Sequence, residues 1–131
     1  MVKVLDASAL MAYLEKETGY DKVRDFFIKA SESGKHILMS TVNWGEVLYV
    51  LIRDHGLEEA QKIEKIVETF PIEFVPVDLA IAKQAALYKA IKKLPYADCF
   101  VAALAKTHKG ELVTGDKEFK LIENEIKVIW V

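Results

Sequence analysis

Short apolar segments alternate with longer amphipathic ones along the chain, and this alternation is the feature that most constrains the fold. The short apolar runs are typical of buried strands and cover residues 2–5, 37–39, 72–77, 111–114 and 127–131. Strands that are separated by helices need crossover connections, which favour a parallel sheet covered on both faces. We therefore predict an α/β fold with a mostly parallel central sheet of about five strands between helices.

The intervening segments carry residues that favour helix ends. Ser, Thr and Asp cap a helix start, Pro suits its first position, and Gly suits the residue that follows its end. The predicted helices cover 8–14, a segment ending at Gly34, Ser40 or Thr41 to Gly56, 57–70, Asp78 to Lys92, and Pro95 to about His108.

Length and composition limit the class of protein. The 131 residues are expected to form a single domain, 1–131, and the hydrophobic share of 52% excludes a disordered chain. The net charge of -2 excludes a protein that binds nucleic acid mainly through bulk positive charge. Any contact with a polyanion must therefore come from a local site or from a metal ion.

The cysteine content and the hydropathy pattern indicate a cytoplasmic protein that does not associate with a membrane. Cys99 is the only cysteine, so it has no disulfide partner within the chain and is expected to be a small core residue. Asp6 interrupts the apolar N-terminal run, which argues against a secretory signal. No uncharged stretch is long enough for a transmembrane helix.

Several acidic residues occur in segments that are otherwise apolar. Asp6 is the only charge within residues 4–14, Glu46 is the only charge within 37–52, and Asp98 is the only charge within 94–105. Asp116 comes just after an apolar strand, as Asp6 does. A buried carboxylate costs several kcal/mol unless something compensates its charge.

Each acid except Glu46 also has an ordinary structural explanation. Asp6 and Asp116 could cap the helices after their strands, and Asp98 falls in a first helical turn where the helix dipole favours negative charge. Because no cationic residue accompanies these acids in their segments, a bound cation is the simplest means of neutralising them together. Oxygen ligands without His or Cys favour Mg²⁺ or Mn²⁺ over Zn²⁺.

The segments around these acids resemble the PIN-domain ribonucleases, and within them the small VapC-like toxins of type II toxin–antitoxin systems. The matching segments are Val4-Leu5-Asp6-Ala7-Ser8-Ala9-Leu10, Asn43-Trp44-Gly45-Glu46-Val47-Leu48, Tyr96-Ala97-Asp98-Cys99-Phe100-Val101-Ala102-Ala103-Leu104-Ala105 and Leu112-Val113-Thr114-Gly115-Asp116-Lys117-Glu118-Phe119. Each motif alone is a weak signal, but the four occur in the family's order over essentially the whole chain.

The resemblance implies a parallel sheet between helices and a metal-dependent endoribonuclease. The family's catalytic and metal-binding acids correspond to Asp6, Glu46, Asp98 and Asp116, which would hold Mg²⁺ or Mn²⁺ and activate a water against an RNA phosphodiester. Supporting positions correspond to Ser8, Thr114 and Glu118, the last as an outer ligand.

The resemblance also implies partners, namely an RNA substrate, a small antitoxin protein and a second copy of the chain in a homodimer. RNA would need a local positive surface, for which Lys92, Lys93 and Lys117 are candidates, although they could equally belong to solvated helix faces. A phosphatase of the haloacid-dehalogenase type would need an acid where Ser8 stands. The alternative that stays open is a catalytically silent PIN-like binding module that captures protein or RNA partners.

Overall fold

The computed structural model describes all residues, 1–131, and contains one wholly parallel sheet. Its strands are β1 (Lys3–Leu5), β2 (Ile37–Ser40), β3 (Ile72–Val75), β4 (Glu111–Thr114) and β5 (Val128–Trp130). The strand order is β3-β2-β1-β4-β5, and every neighbouring pair is parallel. The predicted α/β class and the five-stranded sheet are confirmed.

The helices begin and end close to the predicted positions. They are α1 (Ala7–Leu14), α2 (Tyr20–Ser33), α3 (Thr41–His55), α4 (Leu57–Val67), α5 (Leu79–Ile91) and α6 (Tyr96–Thr107), followed by a short 3-10 helix, Lys117–Ile122. Ser40 Oγ caps α3 by accepting a hydrogen bond from Val42 N, and Asp78 caps α5 through Ile81 N. Gly34 ends α2 with a φ of 71°, a left-handed conformation that favours glycine. None of the helices combines the length and the apolar composition that a membrane span requires.

Two elements end earlier than predicted because of prolines. β3 ends at Val75 instead of residue 77, since Pro76 lacks the N–H that would continue the ladder. α4 ends at Val67 instead of residue 70, because the next residues form a tighter turn in which Thr69 N and Phe70 N donate to carbonyls three residues earlier. Pro71 follows this turn, and a proline disfavours the helical backbone conformation of the residue before it.

The sheet separates two apolar clusters. Val4 and Leu112 face the cluster that contains α5 and α6, whereas Leu5 and Val113 face the cluster formed with α1 to α4. This alternation follows from the two-residue period of a strand. On α6, the eight consecutive residues Asp98–Ala105 are all buried. An acid at the start of α6 therefore adjoins a helix segment that is wholly buried.

The strand order reverses direction between β1 and β4, which are neighbours in the sheet. β2 and β3 lie on one side of β1, whereas β4 and β5 lie on the other. In open parallel sheets, the crevice outside the carboxyl ends of the strands at such a reversal is the usual ligand site. Asp6 directly follows β1 and Asp116 lies just beyond β4, so the fold brings both acids to this crevice.

Candidate active site

The four acids singled out from the sequence line one cavity of about 230 Å³. Asp6 follows β1, Glu46 lies on α3, Asp98 lies in the first turn of α6, and Asp116 follows β4. The rest of the lining comes from Ala7, Ser8, Met11, Val47 and Val50. Four separate segments thus contribute one carboxylate each to the crevice at the carboxyl edge of the sheet.

The Asp6 carboxylate is held by donors on three sides. Its Oδ1 accepts hydrogen bonds from Ala9 N and Ser8 Oγ, both at 2.8 Å, and its Oδ2 accepts one from the Thr114 hydroxyl. The bond from Ala9 N is a helix cap, so the ordinary explanation for Asp6 is correct. Capping α1 and lining the cavity are therefore compatible, because the cap fixes the orientation of the carboxylate.

The hydroxyls of Ser8 and Thr114 also join Asp6 to the turn after β4. Ser8 Oγ accepts a hydrogen bond from Gly115 N at 3.1 Å, and Thr114 Oγ1 accepts one from Asp116 N at 2.9 Å. Each hydroxyl thus donates to Asp6 while it accepts from the segment that carries Asp116. These contacts hold the two strand-end acids in a fixed relation.

Asp116 likewise serves as a cap, since its Oδ1 accepts a hydrogen bond from Glu118 N at 3.0 Å at the start of the 3-10 helix. The Glu118 side chain is exposed and is not part of the cavity lining. The predicted outer ligand therefore lies beside the cavity, not in its wall.

Asp98 has the most unfavourable surroundings of the four acids. Its side chain is buried, and its Oδ2 has no hydrogen-bond partner. Burial, followed by the nearby charges of Asp116, Asp6, Glu46 and Glu118, raises the pKa of Asp98 from 3.8 to about 8. Without a bound cation, Asp98 therefore holds a proton at neutral pH.

Two further cavity acids also resist ionisation. Burial raises the pKa of Asp6 to about 6, against the opposing effect of hydrogen bonds from Thr114, Ala9 and Ser8. Burial also raises the pKa of Glu46, against an opposing effect of the nearby Asn43 amide. None of the ion pairs in the molecule involves a cavity acid. The negative charge of this cavity is therefore not compensated by the protein.

A buried acid at the opposite end of the sheet provides a contrast. Glu111 pairs with Lys3 Nζ at 2.9 Å and with Lys127 Nζ at 2.6 Å, and these bonds lower its pKa. Glu111 was not singled out from the sequence, although an acid within an apolar strand was a usable signal. The comparison shows that this fold can neutralise a buried carboxylate with lysines, and that it does not do so in the cavity.

The donor chemistry of the cavity fits a hard divalent cation. Its potential ligands are carboxylate oxygens, and no His or Cys lines it. The buried, unpartnered Oδ2 of Asp98 is the kind of orphaned acceptor that a cation would satisfy. No three of the His, Cys, Asp and Glu side chains converge closely enough to form a complete ligand set, so the carboxylates would have to approach the ion on binding.

The three candidate lysines lie outside the cavity lining. Lys92 Nζ pairs with Glu125 Oε2 at 3.1 Å, so this lysine already has an anionic partner. Lys93 and Lys117 are exposed and form no ion pair, and Lys117 directly follows Asp116.

Asn43 is a polar residue of the site region whose role the sequence analysis missed. It lies on α3, is 1% exposed, and donates from Nδ2 to the Ala97 carbonyl at 3.0 Å. Its Oδ1 is buried without a partner, which costs about 1–3 kcal/mol. The available signal was a single amide in a long apolar helix.

Comparison with known proteins gives a family and a fold. The profile of the PIN domain family matches residues 3–125. No curated protein is similar enough in sequence to match the chain.

Among solved structures, VapBC from Salmonella typhimurium bound to DNA is similar with a TM-score of 0.79 at 16% identity, covering 98% of this chain and 97% of that one. VapBC2 from Rickettsia felis, bound to a promoter DNA fragment, gives a TM-score of 0.76 at 18% identity and covers 100% and 99% of the two chains. VapC20 from Mycobacterium tuberculosis, described as a toxin that cleaves the sarcin–ricin loop, gives 0.70 at 15% identity with 90% and 92% covered.

These identities establish a shared fold, and the profile match extends over most of the chain, including all four cavity acids. The all-parallel sheet, the acids at its reversal point and the profile match agree with one another. The chain belongs to the PIN domain family.

Proposed function

We propose that the protein is a metal-dependent endoribonuclease that hydrolyses RNA phosphodiester bonds and acts as the toxin of a toxin–antitoxin pair. The observation that carries this proposal is the cavity at the strand-order reversal, where four carboxylates meet without a compensating cation. Membership of the PIN domain family supports it, as does the similarity in fold to a toxin described as cleaving the sarcin–ricin loop.

Asp6, Glu46, Asp98 and Asp116 would hold the cation, which we propose to be Mg²⁺ or Mn²⁺. Such an ion lowers the pKa of a bound water and offsets charge on the phosphate. Asp6 enters this site already oriented by its three donors. Asp98 gives up the proton that its surroundings favour when it becomes a ligand, so metal binding is expected to strengthen as pH rises.

The hydroxyl and thiol side chains of the site region are not placed to act as nucleophiles. Thr114 is completely buried and lies outside the cavity lining, and Ser8 Oγ is engaged both as a donor to Asp6 and as an acceptor from Gly115 N. Cys99 is completely buried and does not line the cavity. The attacking group in this proposal is therefore a water molecule, and no covalent intermediate with the protein forms.

RNA would approach an acidic cavity, so its phosphates need positive charge from the cation and from nearby lysines. Lys93 and Lys117 support this part of the proposal because they are exposed and unpaired. Lys92 is a weaker candidate than its neighbour because Glu125 already neutralises it. Glu118 would act only through the outer coordination shell, since it lies outside the cavity wall.

The proposed protein partners are a small antitoxin and a second copy of the chain. The VapBC neighbours are toxin–antitoxin systems, which supports the first partner. Exposed apolar side chains on α5, Leu79, Leu87 and Ile91, form a surface that suits a protein partner. A single species at the mass of one chain in light scattering at micromolar concentration would contradict the homodimer.

Cleavage of a mixture of purified tRNA and ribosomal RNA tests the enzymatic proposal. We expect Mn²⁺- or Mg²⁺-dependent cleavage that EDTA abolishes and that Asp98→Asn removes. The matched control is Glu111→Gln, which changes a buried acid at the other end of the sheet and is expected to keep the activity. Cleavage that persists in EDTA or in Asp98→Asn would contradict the proposed site.

The same preparation distinguishes the alternative of a catalytically silent binding module. That alternative draws support from the absence of a ready-made ligand set of three side chains. It predicts that the purified protein retains RNA or captures an antitoxin in the presence of Mn²⁺ without producing new RNA ends.

A further inference from the structure

We propose that Asn43 is a positioning residue that holds Glu46 and Asp98 in register across the interface between α3 and α6. This inference rests on the proposed function, because it assigns Asn43 a role toward a cation held by the cavity acids. Asn43 does not line the cavity itself, so its role would be indirect.

The position of Asn43 links the two helices that carry these acids. On α3 it precedes Glu46 by three residues, so both side chains lie on the same helical face. Its Nδ2 donates to the Ala97 carbonyl at 3.0 Å, and Ala97 is the residue directly before Asp98. One side chain thus connects the backbone beside Asp98 to the helical turn that carries Glu46.

Packing alone does not explain an asparagine at this position. Its neighbours on the same face of α3, Val47 and Leu51, belong to the apolar core, and Asn43 is as buried as they are. Its Oδ1 finds no partner there, so the residue carries an energetic penalty that an apolar side chain would avoid. A polar residue retained at such a penalty suggests a geometric role.

The remaining two acids are held by an equivalent device. The hydroxyls of Ser8 and Thr114 bond to Asp6 and accept from the turn that carries Asp116. The cavity therefore consists of two tethered pairs: Asp6 with Asp116 through two hydroxyls, and Glu46 with Asp98 through one amide.

The test measures Mn²⁺ affinity of the metal-free protein by titration calorimetry. Asn43→Ala removes the tether, and Asn43→Leu removes it while keeping a side chain branched at Cγ. We expect the dissociation constant for Mn²⁺ to rise about 10-fold in both variants, the lower end of the range for residues that orient metal ligands. Glu111→Gln is the control for general destabilisation, and its Mn²⁺ affinity is expected to equal that of the wild type.

A second measurement keeps the test decisive if one variant folds poorly. In thermal melts, Asn43→Leu is expected to fold cooperatively but to gain less stability from added Mn²⁺ than the wild type does. Wild-type Mn²⁺ affinity in both Asn43 variants would overturn the inference and leave the proposed function intact. Equal weakening in Glu111→Gln would overturn it as well, because the effect would then reflect stability. If the wild type does not bind Mn²⁺, the proposed function fails and this inference fails with it.

Discussion

Replacement of Asp98 by Asn is expected to stabilise the metal-free protein at pH 8 while it abolishes catalysis. The Asp98 side chain is buried, faces the charges of three other cavity acids, and has one oxygen without a hydrogen-bond partner. Asn preserves the shape and carries no charge. The variant therefore removes the charge that the folded protein tolerates least.

The size of the effect follows from the surroundings of the carboxyl. Its pKa rises from 3.8 to about 8, and each unit corresponds to about 1.36 kcal/mol. Water in the open cavity screens the neighbouring charges and lowers this cost. We therefore expect the ionised Asp98 carboxylate to destabilise the folded protein by about 2 kcal/mol. Loss of a negative charge from the first turn of α6 offsets about 0.5 kcal/mol of this gain. For a chain of 131 residues, the remainder corresponds to a rise in Tm of about 5 °C.

The effect has a defined pH dependence. In the unfolded chain Asp98 loses its proton near pH 4, whereas in the folded protein it does so near pH 8. Between these values the folded state binds more protons, so wild-type stability falls as pH rises and levels off above about pH 8. The difference in Tm between variant and wild type is therefore expected to be small near pH 4 and largest above pH 8.

Thermal melts of both proteins at pH 4.5 and pH 8.5, with EDTA and with Mg²⁺, check this reasoning. Mg²⁺ is expected to stabilise the wild type more than the variant, because a ligand that binds only the folded state raises its stability. If the variant melts below the wild type in EDTA at the higher pH, and neither protein responds to Mg²⁺, then Asp98 only stabilises α6 through its favourable interaction with the helix dipole.

Three further predictions concern other parts of the molecule. Thr114→Val removes a hydrogen bond to Asp6, so the pKa of Asp6 is expected to rise above about 6, which carboxyl NMR titration measures; an unchanged titration would show that the bond contributes nothing. Glu111→Gln breaks the contacts that lower the pKa of Glu111 and is expected to cost about 2 kcal/mol in urea unfolding at pH 7. This difference is expected to shrink as pH falls below the ordinary Glu pKa of about 4.3 and to vanish below the lowered pKa of Glu111, since the protonated wild type loses the same contacts. Equal midpoints of the two proteins at pH 7 would refute it. The double change Lys93→Glu and Lys117→Glu is expected to weaken RNA binding while the Mn²⁺ affinity stays constant. The slope of log affinity against log salt concentration is expected to fall by the contribution of about two phosphate contacts. An unchanged slope would show that the RNA binds elsewhere.

The elements of the fold could be predicted because their signals are local. Apolar periodicity identified the strands, and capping residues such as Ser40 and Asp78 marked helix starts at their correct positions. The cavity acids could be singled out for the same reason, since a lone charge in an apolar segment (Asp6, Glu46, Asp98) or an acid just after an apolar strand (Asp116) is visible without knowledge of the fold. The helix after Asp116 was indicated only by its capping residue, and its 3-10 form was not predicted, because so short an element has little periodicity.

The strand order could not be predicted, because it depends on how helices pack between distant segments. Nothing near Asp6 in sequence indicates that β4 lies beside β1. Glu111 illustrates the same limit, since its partners Lys3 and Lys127 come from the two ends of the chain. The Asn43 tether to Ala97 spans 54 positions and is equally invisible in the local pattern.

The pairing of β1 with β4 has a consequence for the protein during its synthesis. The Thr114 hydroxyl that orients Asp6 is synthesised 108 positions after Asp6 itself. The carboxylate of Asp116 comes later still, from a turn that exists only once β4 has joined the sheet. A nascent chain therefore has no complete cavity until Asp116 has been translated and β4 has joined the sheet. For the nuclease that we propose, this order of events delays activity until β4 has folded against β1.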